Sequence, residues 1–300
     1  MNSLDLVNLT PLMARSSGAA DVVVGLIDGP VAVDRAAFAR ARIREIPAGS
    51  RGSCARASSA ACIHGTFVAG MLAASRGSAA PAICPGCTLL VRPIFSESVA
   101  AGDQVPSATP KDLTAAILDC IAAGARVLNL SVAVAQPTVR EEREMEGALD
   151  LAMRRGVVVV AAAGNQGMLG SSAITRQPWV IPVAACDDRG RPIGFSNYST
   201  TVGRRGLSAP GEGITSLGTG DDPVRLGGTS VAAPFVTGAV ALLWSLLPSA
   251  TAGELRVAIG QGYRRRRAAI VPPLLNAWAA YQSMLHGRAG ATARVQGGAG

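Results

Sequence analysis

Aromatic residues make up only 4% of this 300-residue chain, so little in it suggests the stacking platforms that hold nucleic-acid bases. Nor is there an apolar run long enough to span a membrane. The longest uncharged apolar stretch, Val231 to Leu247, falls just short and carries Pro234, Thr237, Gly238 and Ser245, and it reads as a buried helix. Asp5 and polar neighbours interrupt any signal-like apolar region within Met1 to Ala20, so a soluble, cytoplasmic protein is expected. No internal repeat is visible, and no acidic loop has the ligand spacing of a calcium site. Lysine is nearly absent: Lys111 stands alone, and the net charge of +8 comes almost wholly from arginine. The clusters Arg204-Arg205 and Arg264-Arg265-Arg266-Arg267 read as solvated faces. Nucleic acid, an acidic peptide and an anionic surface are the alternatives, and neither a nucleic-acid nor a membrane partner is assigned.

Six cysteines, Cys54, Cys62, Cys84, Cys87, Cys120 and Cys186, would allow three disulfides in an exporting compartment. Without a signal, mostly reduced thiols are expected. The Cys84-Pro85-Gly86-Cys87 pair could join Cys54 and Cys62 on zinc, but their spacing of eight suits a second ligand pair poorly. A redox role lacks a strand-then-helix context. Loop packing or a local disulfide is the expectation.

With 49% hydrophobic content the chain can bury one large core, and its motif spacing leaves no room for a second. Residues 21–285 are expected to form that domain, after a short extension over 1–20 and before a disordered Gly/Ala/Arg tail over 286–300. Strand and helix signals alternate along it. Val22 to Asp28, Thr88 to Phe95, Arg126 to Ser131, Gly156 to Asn165 and Val180 to Ala184 read as strands. Helices are expected from His64, from Thr109 to Gly124, over Glu141 to Arg155, over Ser230 to Leu247, from Thr251 with a Thr251/Glu254 capping box, and over Pro272 to Leu285. Val31 to Ala61 reads as loop. Continuous apolar strands of this kind are buried on both faces, which predicts an α/β fold: three layers, a doubly wound and mostly parallel sheet with helices on both sides.

Chemistry concentrates at four places. In Leu226-Gly227-Gly228-Thr229-Ser230-Val231-Ala232-Ala233-Pro234-Phe235, Ser230 would sit among the unpaired N–H groups of a helix start, where developing negative charge is favoured. The small residues around it admit a substrate backbone, and Pro234 is tolerated in a first turn. A plain N-cap is the bland alternative. A serine nucleophile needs a base, and of two histidines His286 lies beside the tail while His64 opens a Gly-punctuated apolar helix. The base needs an orienting carboxylate. Val22 to Pro30 supplies Asp28 at the end of a strand, where side chains of an open α/β sheet face the ligand crevice. A helix cap or core imidazole for His64, and a turn-capping role for Asp28, are the competing readings.

Taken together, Leu26-Ile27-Asp28-Gly29, His64-Gly65-Thr66, Ala162-Ala163-Gly164-Asn165 and Gly228-Thr229-Ser230-Val231-Ala232-Ala233-Pro234 resemble the subtilase family of serine peptidases. The order Asp, His, Ser is that family's. The resemblance covers roughly residues 21–285 and implies a subtilisin-like fold. It implies Asp28 as orienter, His64 as general base and acid, Ser230 as nucleophile, and Asn165 as oxyanion donor beside the Ser230 N–H. It also implies that the strand bearing Asn129, Ser131, Val132 and Ala133 pairs with an extended peptide, with Ala162, Ala163 and Gly164 walling the first specificity pocket. Met168 or Leu169 would be placed to close that pocket. No cofactor is implied. Subtilases often hold structural calcium, for which no site is evident. Secreted members usually carry a propeptide, so with some 20 residues before the first strand the chain is expected to fold without one or to be a truncated piece.

Asp28-Gly29-Pro30-Val31 and Cys84 to Ser96 narrow the likeness to subtilases that mature cyanobactin-type ribosomal peptides. Some of those form macrocycles under a helical insertion near the active site. Only 35 residues separate Asp28 from His64, which leaves no room there for such a cover, so hydrolysis is expected. Phe67 replaces the second His of the common His-Gly-Thr-His pattern. The expected partner is a peptide or protein substrate, an acidic one being favoured by the net charge. A catalytically inactive scaffold on the same fold is the alternative.

Overall fold

The structure, a computed structural model, describes residues 2–47, 54–95, 97, 108–131, 138–260 and 269–296, with side chains through residue 287. In chain order these residues form α1 (Ser3–Leu6), α2 (Thr10–Met13), β1 (Val23–Asp28), a 3-10 turn (Ala36–Phe38), β2 (Arg42–Glu45), α3 (Ala60–Ala73), β3 (Thr88–Pro93), α4 (Pro110–Ala122) and β4 (Val127–Leu130). There follow α5 (Val139–Arg154), β5 (Val158–Ala162), α6 (Ala173–Arg176), β6 (Val180–Cys186), α7 (Thr200–Arg205), β7 (Leu207–Pro210), β8 (Ile214–Leu217), β9 (Pro223–Leu226), α8 (Thr229–Leu246), α9 (Ala252–Ile259) and α10 (Ala277–Gln296).

Seven strands pair in the order β2-β3-β1-β4-β5-β6-β7, every pair parallel. Strands β8 and β9 form a separate antiparallel hairpin. The connections after β1 run first toward one edge and then, from β4, toward the other. The switch therefore lies between β1 and β4, and a crevice opens beyond their carboxyl ends.

Alternation along the strands builds the three layers. Val24 and Leu26 join Phe67, Met71 and the length of α8 in one core, while Ile27, Leu128 and Val159 join Leu113, Ile117 and Leu149 of α4 and α5 in the other. Helix α8 is long and apolar enough to cross a membrane, yet 83% of it is buried inside the fold. It packs against β4, β5, β6 and β7.

The position of Pro234 differs from the expectation of a first-turn proline. Helix α8 starts at Thr229, so Pro234 lies beyond the first turn and its missing N–H deprives the Ser230 carbonyl, four residues back, of its helical donor. The hydroxyl of Ser131 donates to that carbonyl at 3.1 Å instead. Asn129 Nδ2 donates to the Ser131 hydroxyl at 2.7 Å, and Thr237 Oγ1 donates to Asn129 Oδ1 at 2.7 Å. A chain of buried polar groups thus stitches the end of β4 to the start of α8, and a buried network of this kind has to be fully satisfied to be tolerated.

Other departures from the sequence reading have equally local causes. Residues 2–20 are part of the core, with Val7, Leu9 and Leu12 fully buried and α2 lying against α8 and α10. Helix α10 continues through residue 296 where a disordered tail was expected, since alanine and arginine are strong helix formers. Within the expected loop over Val31 to Ala61, β2 adds an edge strand beside β3. Cys54 and Cys62 are disulfide-bonded, contrary to the expectation for that pair, because the turn between them brings their Cα atoms to 5.6 Å, within bonding range. Cys84, Cys87, Cys120 and Cys186 are free and buried. The Cys87 sulfur lies 3.9 Å from Ser245 Oγ, and Gly18 packs directly on it.

Thr237→Val keeps the shape of α8 and leaves Asn129 Oδ1 buried without its donor. It is expected to cost about 1–3 kcal/mol, read as a lower denaturant midpoint at unchanged slope.

Candidate active site

Asp28 is the last residue of β1 and fully buried. Its Oδ1 accepts from the Gly29 N–H at 2.6 Å and faces His64 Nδ1 at 2.7 Å. The turn that follows packs against α3 with no space between backbones. A Cβ on Gly29 would lie 1.9 Å from the Ala61 carbonyl oxygen, and one on Gly65 would lie 2.4 Å from the Gly29 oxygen. Glycine at both positions is what lets the helix carry His64 down onto the carboxylate. The Ser59 hydroxyl caps α3 by accepting from the Cys62 N–H, and the Ala32 N–H donates to Thr66 Oγ1 at 2.9 Å.

His64 Nε2 lies 2.9 Å from Ser230 Oγ. An ionised Asp28 can only accept, so Nδ1 carries the imidazole hydrogen and Nε2 is left to accept from the serine hydroxyl. Burial would lower the His64 pKa, but the Asp28 charge and hydrogen bond raise it, and the net shift is upward. The His64 side chain keeps 23% of its surface exposed, so one edge of the imidazole is open to solvent. Asp28 Oδ2 is buried without a hydrogen-bond partner. An aspartate at a turn often accepts from the N–H two residues on, and here that residue is Pro30, which has none.

Ser230 is the second residue of α8, where backbone N–H groups lack intrahelical acceptors. Asn165 follows β5 and is anchored through its oxygen: Oδ1 accepts from the Thr229 N–H at 2.8 Å and from Thr229 Oγ1 at 2.9 Å. Thr229 Oγ1 in turn accepts from the Gly164 N–H at 3.1 Å. This leaves Asn165 Nδ2 as the free donor. It converges with Ser230 on one spot, since a Cβ on Gly228 would lie 3.0 Å from Asn165 Nδ2 and 3.4 Å from Ser230 Oγ. Gly228 has φ +137°, which side-chain-bearing residues rarely adopt. An amide donor beside a hydroxyl that is itself bonded to a base is the arrangement that stabilises an oxyanion formed by attack of that hydroxyl.

Asp28, His64, Ser230 and Asn165 therefore come together. The groove residues divide. Ser131 lies at the end of β4, buried and bonded to α8, and Asn129 spends its side chain on Ser131 and Thr237, so any contact it makes with a peptide is through its backbone. Ala162 and Gly164 are half-buried. Ala163 points away into a small cluster with Ala184, Tyr198 and Val202. Val132 and Ala133 lie outside the described residues. Met168 and Leu169 are 60% and 79% exposed and stand at the surface.

Two further residues hold the site. Thr229 latches the Gly164-Asn165 turn to α8, and the Asn197 side chain accepts from the N–H groups of Gln166 and Met168 while donating to Gln166 Oε1. The Thr signal lies within the Gly-Thr-Ser motif. Nothing in the sequence around Asn197 marks it. Among the described residues, the one trio of groups close enough to share a metal is Cys54, Cys62 and Glu97, and there the two sulfurs are bonded to each other.

The fold and the site define an α/β protein with an Asp/His/Ser hydrogen-bond chain at the carboxyl edge of a parallel sheet. A match to the subtilase family covers residues 20–267, and the chain belongs to that family. It is similar to a thermophilic serine proteinase of Bacillus sp. (strain AK1), 38% identical over 184 residues that make up 61% of this chain and 42% of that protein. The chain spans about half the length of the curated relatives it matches. Its fold is similar to that of the protease domain of PatA (TM-score 0.79, 30% identity, 90% of this chain and 97% of that one). It is likewise similar to the prenylagaramide maturation protease PagA (TM-score 0.77, 27% identity, 91% and 97%).

Two outcomes follow from the geometry. Any reaction that needs neutral His64 as its base is expected to fall on acidification with a midpoint above the usual histidine value of about 6.5. Pro30→Ala, which restores an N–H two residues after Asp28, should move that midpoint down in a profile of kcat/KM against pH. Gly228→Ala places a methyl group between Asn165 Nδ2 and Ser230 Oγ and should lower kcat by about a hundredfold or more, measured on a peptide substrate in chain shown to be folded by circular dichroism.

Proposed function

We propose that the chain is a serine endopeptidase that hydrolyses peptide bonds with Ser230 as nucleophile, His64 as general base and acid, Asp28 as orienter and Asn165 as oxyanion donor. The observation that carries this reading is the continuous hydrogen-bond chain Asp28–His64–Ser230, with Asn165 Nδ2 aimed at the same point. Ser230 Oγ attacks the peptide carbonyl carbon as His64 Nε2 takes its proton, and Asp28 stabilises the imidazolium so formed. The carbonyl oxygen gains charge between Asn165 Nδ2 and the Ser230 N–H. His64 then returns the proton to the departing amine, leaving an acyl-serine. Water, deprotonated by His64, releases the acid and restores the hydroxyl.

The substrate we propose is a short, unstructured precursor peptide made on the ribosome. Support comes from the likeness to PatA and PagA, the first described as a patellamide maturation protease and the second as a prenylagaramide maturation protease. An acidic segment in that peptide would be drawn to a chain with net charge +8.

The test is intact-mass analysis after treatment with a fluorophosphonate, beside peptide cleavage. One adduct is expected on the wild type and none on Ser230→Ala. Ser230→Ala and His64→Ala should each lower kcat by about a millionfold, and Asn165→Ala by about a hundredfold to a thousandfold. Near-full cleavage by His64→Ala would overturn the assignment.

A further inference from the structure

The Cys54–Cys62 disulfide lies directly upstream of the general base. Cys62 is buried in the first turn of α3, two residues before His64, while Cys54 is partly exposed on the turn leading into the helix. Every other cysteine is free and buried. The turn is held on its far side by Glu97, whose carboxylate accepts from the N–H groups of Ala55 at 3.0 Å and Arg56 at 3.1 Å and from the Ser59 hydroxyl at 3.4 Å. Thr219 Oγ1 donates to the Ala57 carbonyl at 2.6 Å. Ala61, next to Cys62, is the residue whose carbonyl abuts Gly29 beside Asp28.

The two sulfurs differ in the way that thiol exchange requires. An incoming thiolate reaches the sulfur that is exposed, and the departing sulfur leaves faster the better it bears charge. Here Cys54 is the partly exposed partner and Cys62 the buried one. The departing sulfur belongs to Cys62, at the amino end of a 14-residue helix, where the helix dipole favours a thiolate.

We propose that Cys54–Cys62 is an exchange site for a low-molecular-weight thiol, attacked at Cys54, whose state sets how firmly α3 holds His64 against Asp28. In the first step the thiolate forms a bond to Cys54 Sγ, the Cys54–Cys62 bond breaks, and its electron pair leaves on Cys62 Sγ. A second thiolate attacks the small-molecule sulfur of the mixed disulfide, releasing the oxidised small molecule and a Cys54 thiolate. The protein disulfide is reduced by two electrons, and two molecules of thiol are oxidised. Glu97 is a charged group beside both sulfurs, with a carboxylate oxygen within 4.8 Å of each. Its charge opposes an arriving anion, so Glu97→Gln should speed the first step. With the bond open, the entry to α3 loses its covalent tie to Cys54 and keeps, among the described residues, the hydrogen bonds to Glu97 and Thr219 and the packing of Ala61, so the register of Ala61 and His64 on the Asp28 turn loosens.

Mapping the adduct does not depend on the peptidase reading, whereas the coupling to His64 rests on it. The folded full chain would be incubated in glutathione buffers of increasing reduced-to-oxidised ratio, quenched with acid and mapped by peptide mass. In parallel, the rate of fluorophosphonate labelling would be followed. Expected are a glutathione adduct on Cys54 with Cys62 as a free thiol, a labelling rate lowered severalfold in the reduced chain, and recovery on reoxidation. Cys54→Ser should label at the reduced chain's rate in every buffer. A disulfide that survives excess glutathione until the chain unfolds, or an adduct carried on Cys62, would overturn the exchange site. Identical labelling rates in oxidised and reduced wild-type chain would overturn the coupling.

Discussion

A carboxylate with no exposed surface has to be paired, and the pairing of Asp28 with His64 is the constraint around which this molecule is arranged. Removing the charge of Asp28 from water is costly unless a partner is held at bonding distance. The sheet delivers the carboxylate at the end of an interior strand, β1, and α3 delivers the imidazole. The two elements meet only because Gly29 and Gly65 let their backbones touch. The pair also fixes which imidazole nitrogen is free. The acceptor for the Ser230 hydroxyl follows from that choice.

The second demand is made by α8. It is the largest single piece of the core, and its second residue is also the proposed nucleophile. Pro234 would weaken the start of that helix if the Ser230 carbonyl were abandoned. The buried run of Thr237, Asn129 and Ser131 removes the penalty and, in doing so, ties the nucleophile to the strand that flanks the crevice. Thr229 does the same toward β5. Each neighbour of Ser230 therefore answers to a different strand, which locates the serine in three dimensions without any part of the site resting on a loop alone.

Much of this was legible in the residues themselves. The apolar runs over Val22 to Ile27 and Gly156 to Ala163 announced a parallel sheet because strands buried on both faces have no polar alternation to lose. Thr109 and Thr251 marked their helix starts through local hydrogen bonds that need no tertiary context. The convergence of Asp28, His64, Ser230 and Asn165 was legible through motif order. Asn129 and Ala163 were read as groove residues, but their side chains turn inward, and backbone direction at a strand end is not written in the residue type. Nor were the core role of Leu9 and Leu12 or the holding role of Asn197 visible, since each depends on contacts with residues far away in the chain, and the pairing of Cys54 with Cys62 depends on a turn whose shape the residue types between them do not announce.

The placement of the nucleophile on the most deeply buried helix has a consequence for how the molecule fails. Sites built on mobile segments can be lost by local opening while the rest of a protein stays intact. Here the amides of α8 should exchange with solvent only as slowly as the whole domain unfolds, so loss of the Ser230 position on heating and loss of structure would be a single event. On the peptidase reading, the nucleophile of such a molecule stays placed for as long as the domain is folded. Its own unfolded copies would then be the first chains presented to those that remain intact.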